Sequence, residues 1–207
     1  MQDKVPTPDS RRARRSAQPL GVMKALVHDA RFLEDLRSRF NAGDRPQFIF
    51  FWGHRASKSG VTTSCFSQWY NASFVVDGQH YPTAEHFMMA EKAALFGDLD
   101  ARQQVLQAED PATAKALGRQ VRGFDEATWL ENRFSIVVRA SHAKFMQNPE
   151  LQHFLKQTGS CVLVEASPVD KVWGIGLAKD DWKASDPNLW AGLNLLGFAL
   201  MRVRDDA

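Results

Sequence analysis

The feature that most constrains this chain is a helix-forming segment, residues 81–98, with a carboxylate and an amine on its own apolar face. Thr83 is placed to cap its start, because its hydroxyl can accept an orphan amide, and Gly97 is placed to end it. At about 100° per residue, Glu85, Met89, Lys92 and Phe96 point the same way, toward whatever the helix packs on, and Met88 widens that stripe. Glu85 and Lys92 lie about 10 Å apart along the axis, beyond the reach of an ordinary helical ion pair. Burying both without a local partner is costly, so each is expected to meet a third group or a cleft. The alternative is snorkelling, with the stems buried and the charged heads in water.

Length and composition set the frame. The chain has 207 residues, 44% hydrophobic and 24% charged, which suits one domain with a substantial core and leaves room for an appendage. A net charge of +2 nominates neither a nucleic acid nor a membrane partner. No apolar run reaches transmembrane length and no secretory signal opens the chain, so a soluble cytoplasmic protein with no membrane partner is expected. Cys65 and Cys161 sit in or beside apolar segments and read as packed thiols.

Residues 1–20 read as a disordered basic tail, with Arg11, Arg12, Arg14 and Arg15 in one cluster. Residues 21–45 form a helical extension, amphipathic over 21–40 through Val22, Leu26, Leu33, Leu36 and Phe40. A main domain occupies 46–207. Within it, 47–52 reads as a buried strand, and 73–76 with 79–81 as a hairpin turning at Asp77-Gly78. Asp110 and Pro111 open a short helix, and Asp125 caps a long one from Glu126 to about Met146. Asn148-Pro149 starts another helix, which stops at Thr158-Gly159. Residues 161–165 form a short strand, and Asp186-Pro187 introduces a final helix through Arg204. The fold class expected is mainly α (α+β), a compact multihelical domain with a small antiparallel β element.

Familiar catalytic signatures fail. There is no Walker loop, no G-x-S-x-G, no H-E-x-x-H and no zinc-spaced Cys/His set. His86 points away from the Glu85 face, and Met89 and Ala90 stand where a second metal ligand would be needed, so neither a metal nor a cofactor is expected. The loop after the second strand, 165–176, carries Asp170, Trp173, Gly174 and Gly176. It suits either a site where backbone approaches a ligand and an indole forms a wall, or a tight turn with Trp173 in the core. Arg133 and Lys144 flank the inward stripe of the long helix and either bind phosphate or snorkel.

Many ordered motifs then point one way. Phe50-Phe-Trp-Gly53, Phe66-Ser-Gln-Trp-Tyr70, Tyr81-Pro-Thr-Ala-Glu85-His86, Lys92, Ala114-Lys-Ala-Leu-Gly-Arg119, Ala143-Lys144-Phe145, Glu165-Ala-Ser-Pro-Val-Asp170, Trp173-Gly-Ile-Gly176 and Asn194-Leu-Leu-Gly197 resemble the YbiA-like, or NADAR, family over about residues 47–204. The resemblance implies an N-glycosidase that breaks a ribose C1–N bond. Its substrate would be either a phosphorylated ribosylaminopyrimidine intermediate of riboflavin synthesis or ADP-ribosylated guanine, including guanine in nucleic acid. It implies Glu85, Lys92 and Asp170 as catalytic residues. Trp52, Phe66, Trp69, Lys144, Trp173, Gly174, Gly176 and Asn194 would contact the substrate. The rival reading is a module that binds ADP-ribose or a related nucleotide without turnover; two carboxylates, Glu85 and Asp170, favour the enzyme.

Overall fold

The computed structural model describes residues 20–206, with side chains from Asp29 onward. The arginine cluster of the basic tail lies outside the described residues. Seven helices among the described residues enclose two small pairs of strands. Helix α1 (Leu20–Asn41) leads into β1 (Phe48–Phe51), and β2 (Phe74–Val76) and β3 (Gln79–Tyr81) form the hairpin. Helices α2 (Ala84–Leu95), α3 (Leu99–Leu106), α4 (Pro111–Gly118), α5 (Glu126–Met146) and α6 (Pro149–Gln157) follow. Strand β4 (Val162–Glu165) and helix α7 (Leu195–Asp205) complete the fold. This is the mainly helical α+β architecture read from the sequence, and its antiparallel element is the β2–β3 pair. Asp77 (φ 51°) and Gly78 (φ 77°) both take the left-handed backbone that a two-residue hairpin turn demands.

Local chemistry accounts for most helix starts. Thr83 caps α2 by accepting from the His86 amide, and Asp98, Asp110 and Asp125 do the same for α3, α4 and α5. Pro111 and Pro149 stand in the first turn of α4 and α6, where a missing amide hydrogen costs nothing.

Two features depart from the sequence reading. Strands β1 and β4 pair in parallel, with Phe48 opposite Val162 and Phe51 opposite Glu165. The last helix begins at Leu195 instead of at Asp186-Pro187, which opens only a short 3-10 turn, Pro187–Leu189. The intervening chain is drawn across the 171–174 loop. Leu193, Asn194 and Leu195 donate their amides to the carbonyls of Lys171, Gly174 and Val172. Asn194 itself sits in the left-handed region (φ 56°), so no α-helix can run through it.

Helix α2 lies centrally, against α3, α4 and α5. The approach to α4 is close: a Cβ on Gly118 would lie 2.1 Å from Met89 Sδ. The apolar stripe of α2 therefore faces α4, carrying Glu85 and Lys92 toward Lys115, Gly118 and Arg119. Helix α1 packs on α5 as part of the same body, with Leu33 and Leu36 in a second apolar cluster beside Val162, Val164, Ile175 and Trp190. No helix among the described residues is long and apolar enough to cross a membrane.

Candidate active site

The site is built around Glu85. Its backbone amide donates to the Gln68 carbonyl (3.0 Å), which fixes the 63–70 segment over the start of α2. That segment is held from its other side by Lys144, whose amine donates to the carbonyls of Cys65 (2.6 Å) and Ser67 (2.8 Å). The two attachments set Trp69 against Glu85, and its indole hydrogen-bonds to the carboxyl group. Lys115 Nζ lies 5.7 Å from the centre of the Trp69 ring, and the His54 ring lies 5.5 Å away.

The second half of the site comes from β4 and the loop behind it. Asp170 Oδ1 accepts from the amides of Val172 and Trp173, both at 2.8 Å, and its own amide donates to Ser167 Oγ. Gly174 fits against this turn because a Cβ there would lie 2.8 Å from the Glu165 carbonyl oxygen. Gly176 has φ +68°, a backbone that disfavours side chains.

The electrostatics join the two halves. Glu85 is 1% exposed, with Oε1 enclosed and without a hydrogen-bond partner. Burial pushes its pKa up to about 7; Lys115, the Trp69 bond and Arg119 oppose the rise, and the Asp170 charge adds to it. Glu165, at the end of β4, also has an enclosed and unpartnered oxygen, Oε2. Burial, then the charge of Asp170, push it up to about 8, with Lys115 opposing and Glu85 adding to the rise. Three carboxyl groups and one lysine therefore share a single neighbourhood. A dry carboxyl with a free oxygen, beside a second carboxyl whose pKa burial also raises, is an arrangement suited to proton transfer and to stabilising a sugar cation.

Of the residues expected from sequence, Glu85, Asp170 and Trp69 come together here. Lys92 lies two turns further along α2. It donates to the Gly118 carbonyl (2.8 Å), and its amine lies over the rings of Phe124 (4.5 Å) and Trp129 (5.5 Å). Burial lowers its pKa first, and Arg119 second, so Arg119 links the two ends of the α2 stripe. Trp52, at the end of β1, is 64% exposed, and Trp173 is half-buried against the main core.

Phe66, Lys144 and Asn194, expected to contact substrate, are enclosed among protein groups. Phe66 packs edge-on to Phe51 and against Phe145 and Phe154. The Lys144 amine is engaged by two carbonyls, and burial lowers its pKa to about 7. Asn194 braces β4, accepting from the Glu165 amide and donating to the Leu163 carbonyl, both at 2.9 Å. These three hold the walls of the site. Arg133, read from sequence as a phosphate ligand or a snorkelling side chain, instead forms a buried ion pair with Asp29 of α1 (2.6 Å).

Sequence reasoning missed Glu165, Lys115 and Arg119 as site residues. Glu165 at a strand end and Lys115 on a short helix have nothing local to distinguish them from surface charges. His86 behaves as expected of a structural histidine. Its Nε2 faces the Ala108 carbonyl, an acceptor only, so Nδ1 accepts from the Thr83 hydroxyl. Cys65 and Cys161 are both free, and burial raises the Cys65 pKa to about 12. No group of three or more His, Cys, Asp or Glu among the described residues is disposed to hold a metal ion. The larger surface clefts, such as one of about 490 Å³ between Val61 and α6, are lined by other residues.

Comparison with known proteins shows the family of the chain. The NADAR domain model matches residues 50–206. The chain is 39% identical over 165 residues to N-glycosidase R617 of Acanthamoeba polyphaga mimivirus, covering 77% of this chain and 96% of that protein. It is 34% identical over 140 residues to the riboflavin biosynthesis protein VVA0006 of Vibrio vulnificus, covering 68% of this chain but 34% of that longer protein. N-glycosidase YbiA of Escherichia coli is 31% identical over 130 residues, 63% of this chain and 72% of its own. The NMR structure of E. coli YbiA superposes with a TM-score of 0.62 at 26% identity, over 79% of this chain and 86% of that one. From residue 50 almost to its end, therefore, this chain belongs to the NADAR domain family.

Proposed function

We propose that this N-glycosidase hydrolyses the bond between ribose C1 and a nitrogen in a phosphorylated ribosyl substrate. The leaving base would be either an aminopyrimidine of riboflavin synthesis or a guanine carrying ADP-ribose. The observation that carries the reading is Glu85, a 1%-exposed carboxyl with one unpartnered oxygen beside two further carboxyl groups. Cleavage of a ribosyl C–N bond builds positive charge on the sugar, and a preorganised anion in a dry site stabilises that charge more than water does. Near pH 7 part of the Glu85 population is ionised, so it serves as that anion and as the base for the attacking water.

The other residues support this assignment. Trp69 orients Glu85 and offers an aromatic face, and Asp170 adds negative charge while building the 170–173 turn. Lys92 and Arg119, whose charge acts on the Lys92 amine, supply the positive charge a phosphate needs. The similarity to VVA0006, named a riboflavin biosynthesis protein, supports the aminopyrimidine arm. Incubation with each substrate type, followed by mass spectrometry of the products, tests the reading. Release of free base and phosphorylated ribose or ADP-ribose from at least one is expected; both substrates recovered intact would overturn it.

A further inference from the structure

One carboxyl of the cluster has no part in the assignments above. The Glu165 backbone is fixed from three sides. Its amide donates to Asn194 Oδ1, its carbonyl accepts from Ile175, and it stands opposite Phe51 in the β1–β4 pair. The fold therefore sets the direction of its side chain. The charges that act on it are Asp170, Lys115 and Glu85, the same groups that make up the site. Strand β1 brings no titratable group beside it, only Phe48, Ile49, Phe50 and Phe51. The charged residues of α7 are engaged elsewhere, Arg202 with Asp206 and Arg204 with Asp205, Thr158 and the Cys161 carbonyl. Oε2 is enclosed without a donor. A glutamate kept only for structure has its oxygens bonded or in water, and an enclosed oxygen is satisfied by a proton or a ligand.

We infer that Glu165 is a second acid of this site, the group that delivers a proton to the departing nitrogen; the inference rests on the ribosyl C1–N reading above. The C1–N bond breaks with its electron pair going to nitrogen, and that nitrogen takes the Glu165 proton. Water adds its oxygen to C1 and gives a proton to the Glu85 carboxylate. Each turnover ends with Glu165 ionised and Glu85 protonated, and a proton returning through solvent restores both. The division of roles follows from the neighbours. Lys115, Trp69 and Arg119 favour the charged form of Glu85, whereas the charge acting most on Glu165 is the anion of Asp170, which favours its neutral form.

The test compares wild type with Glu165→Gln on the substrate that wild type cleaves, across pH 5 to 9, with infrared spectra of both proteins at pH 7. Wild-type kcat/KM is expected to fall on the alkaline side as Glu165 ionises. Glu165→Gln is expected to run about 100-fold or more slower, with that alkaline fall removed. A carboxylic-acid carbonyl band present at pH 7 in wild type is expected to weaken in Glu165→Gln. Unchanged turnover with the alkaline fall retained would overturn the inference while leaving the N-glycosidase reading in place. A variant that is slow but keeps both the alkaline fall and the infrared band would also overturn it, making Glu165 structural. Absence of wild-type turnover on every ribosyl N-glycoside would remove the reading and the inference together.

Discussion

At the residue level, burial of Glu85 makes the stability of the fold depend on pH. Its pKa rises from 4.5 to about 7, so the folded protein binds the proton more tightly than the unfolded chain does. The sign follows: below the unfolded value both states are protonated and nothing is lost, and stability falls as pH rises from 4.5 through 7. At about 1.4 kcal/mol per pKa unit, the shift corresponds to an upper bound of roughly 3–4 kcal/mol. Glu85→Gln cannot ionise, so it is expected to melt several degrees above wild type at pH 8, with the gap closing toward pH 4.5. Thermal melts across that range check this; a gap that is absent or independent of pH would contradict it. The sequence marked Glu85 because helical periodicity put a charge on an apolar stripe. It could not mark Glu165 in the same way: a charge at a strand end is ordinary, and only the Asn194 and Ile175 bonds that pin it reveal where it points.

Among the elements, the decisive one is the 63–70 segment, which has little regular structure and is fixed from outside. Lys144 of α5 holds it from below through two carbonyls, and α2 holds it through the Glu85 amide. Lys144→Met fills the same space but leaves the Cys65 carbonyl without a donor and the Ser67 carbonyl with only the Tyr70 amide (3.2 Å), at a cost of about 1–3 kcal/mol before relaxation. A melting temperature lower by several degrees is expected, together with reduced turnover, because Trp69 travels with the segment. Full turnover and an unchanged melt would show that the tether is dispensable. Helix starts were legible wherever an Asp, Thr or Pro carried the signal, as at Thr83, Asp110 and Asp125. Asp186-Pro187 carried the same signal and produced only a 3-10 turn, because amides 193–195 are drawn to the 171–174 loop. A long-range demand of that kind leaves no local trace.

Across the whole molecule, long-range pairings decide where the chemistry lies. Phe51 and Glu165 stand side by side although they are far apart in the chain, and the Asp29–Arg133 pair joins α1 to α5 inside the body. The helical character and the hairpin were readable from local patterns, whereas the parallel β1–β4 pair that places Glu165 was not. The convergence of α2, α4 and the β4 loop is what brings the charges of Glu85, Glu165 and Asp170 to bear on one another. Whether Glu85 acts on the proposed ribosyl C1–N bond is read from the turnover of Glu85→Gln against wild type on the cleaved substrate. With the fold confirmed by circular dichroism, the variant is expected to lose about 10²- to 10⁴-fold in kcat. Turnover equal to wild type would remove Glu85 from the chemistry.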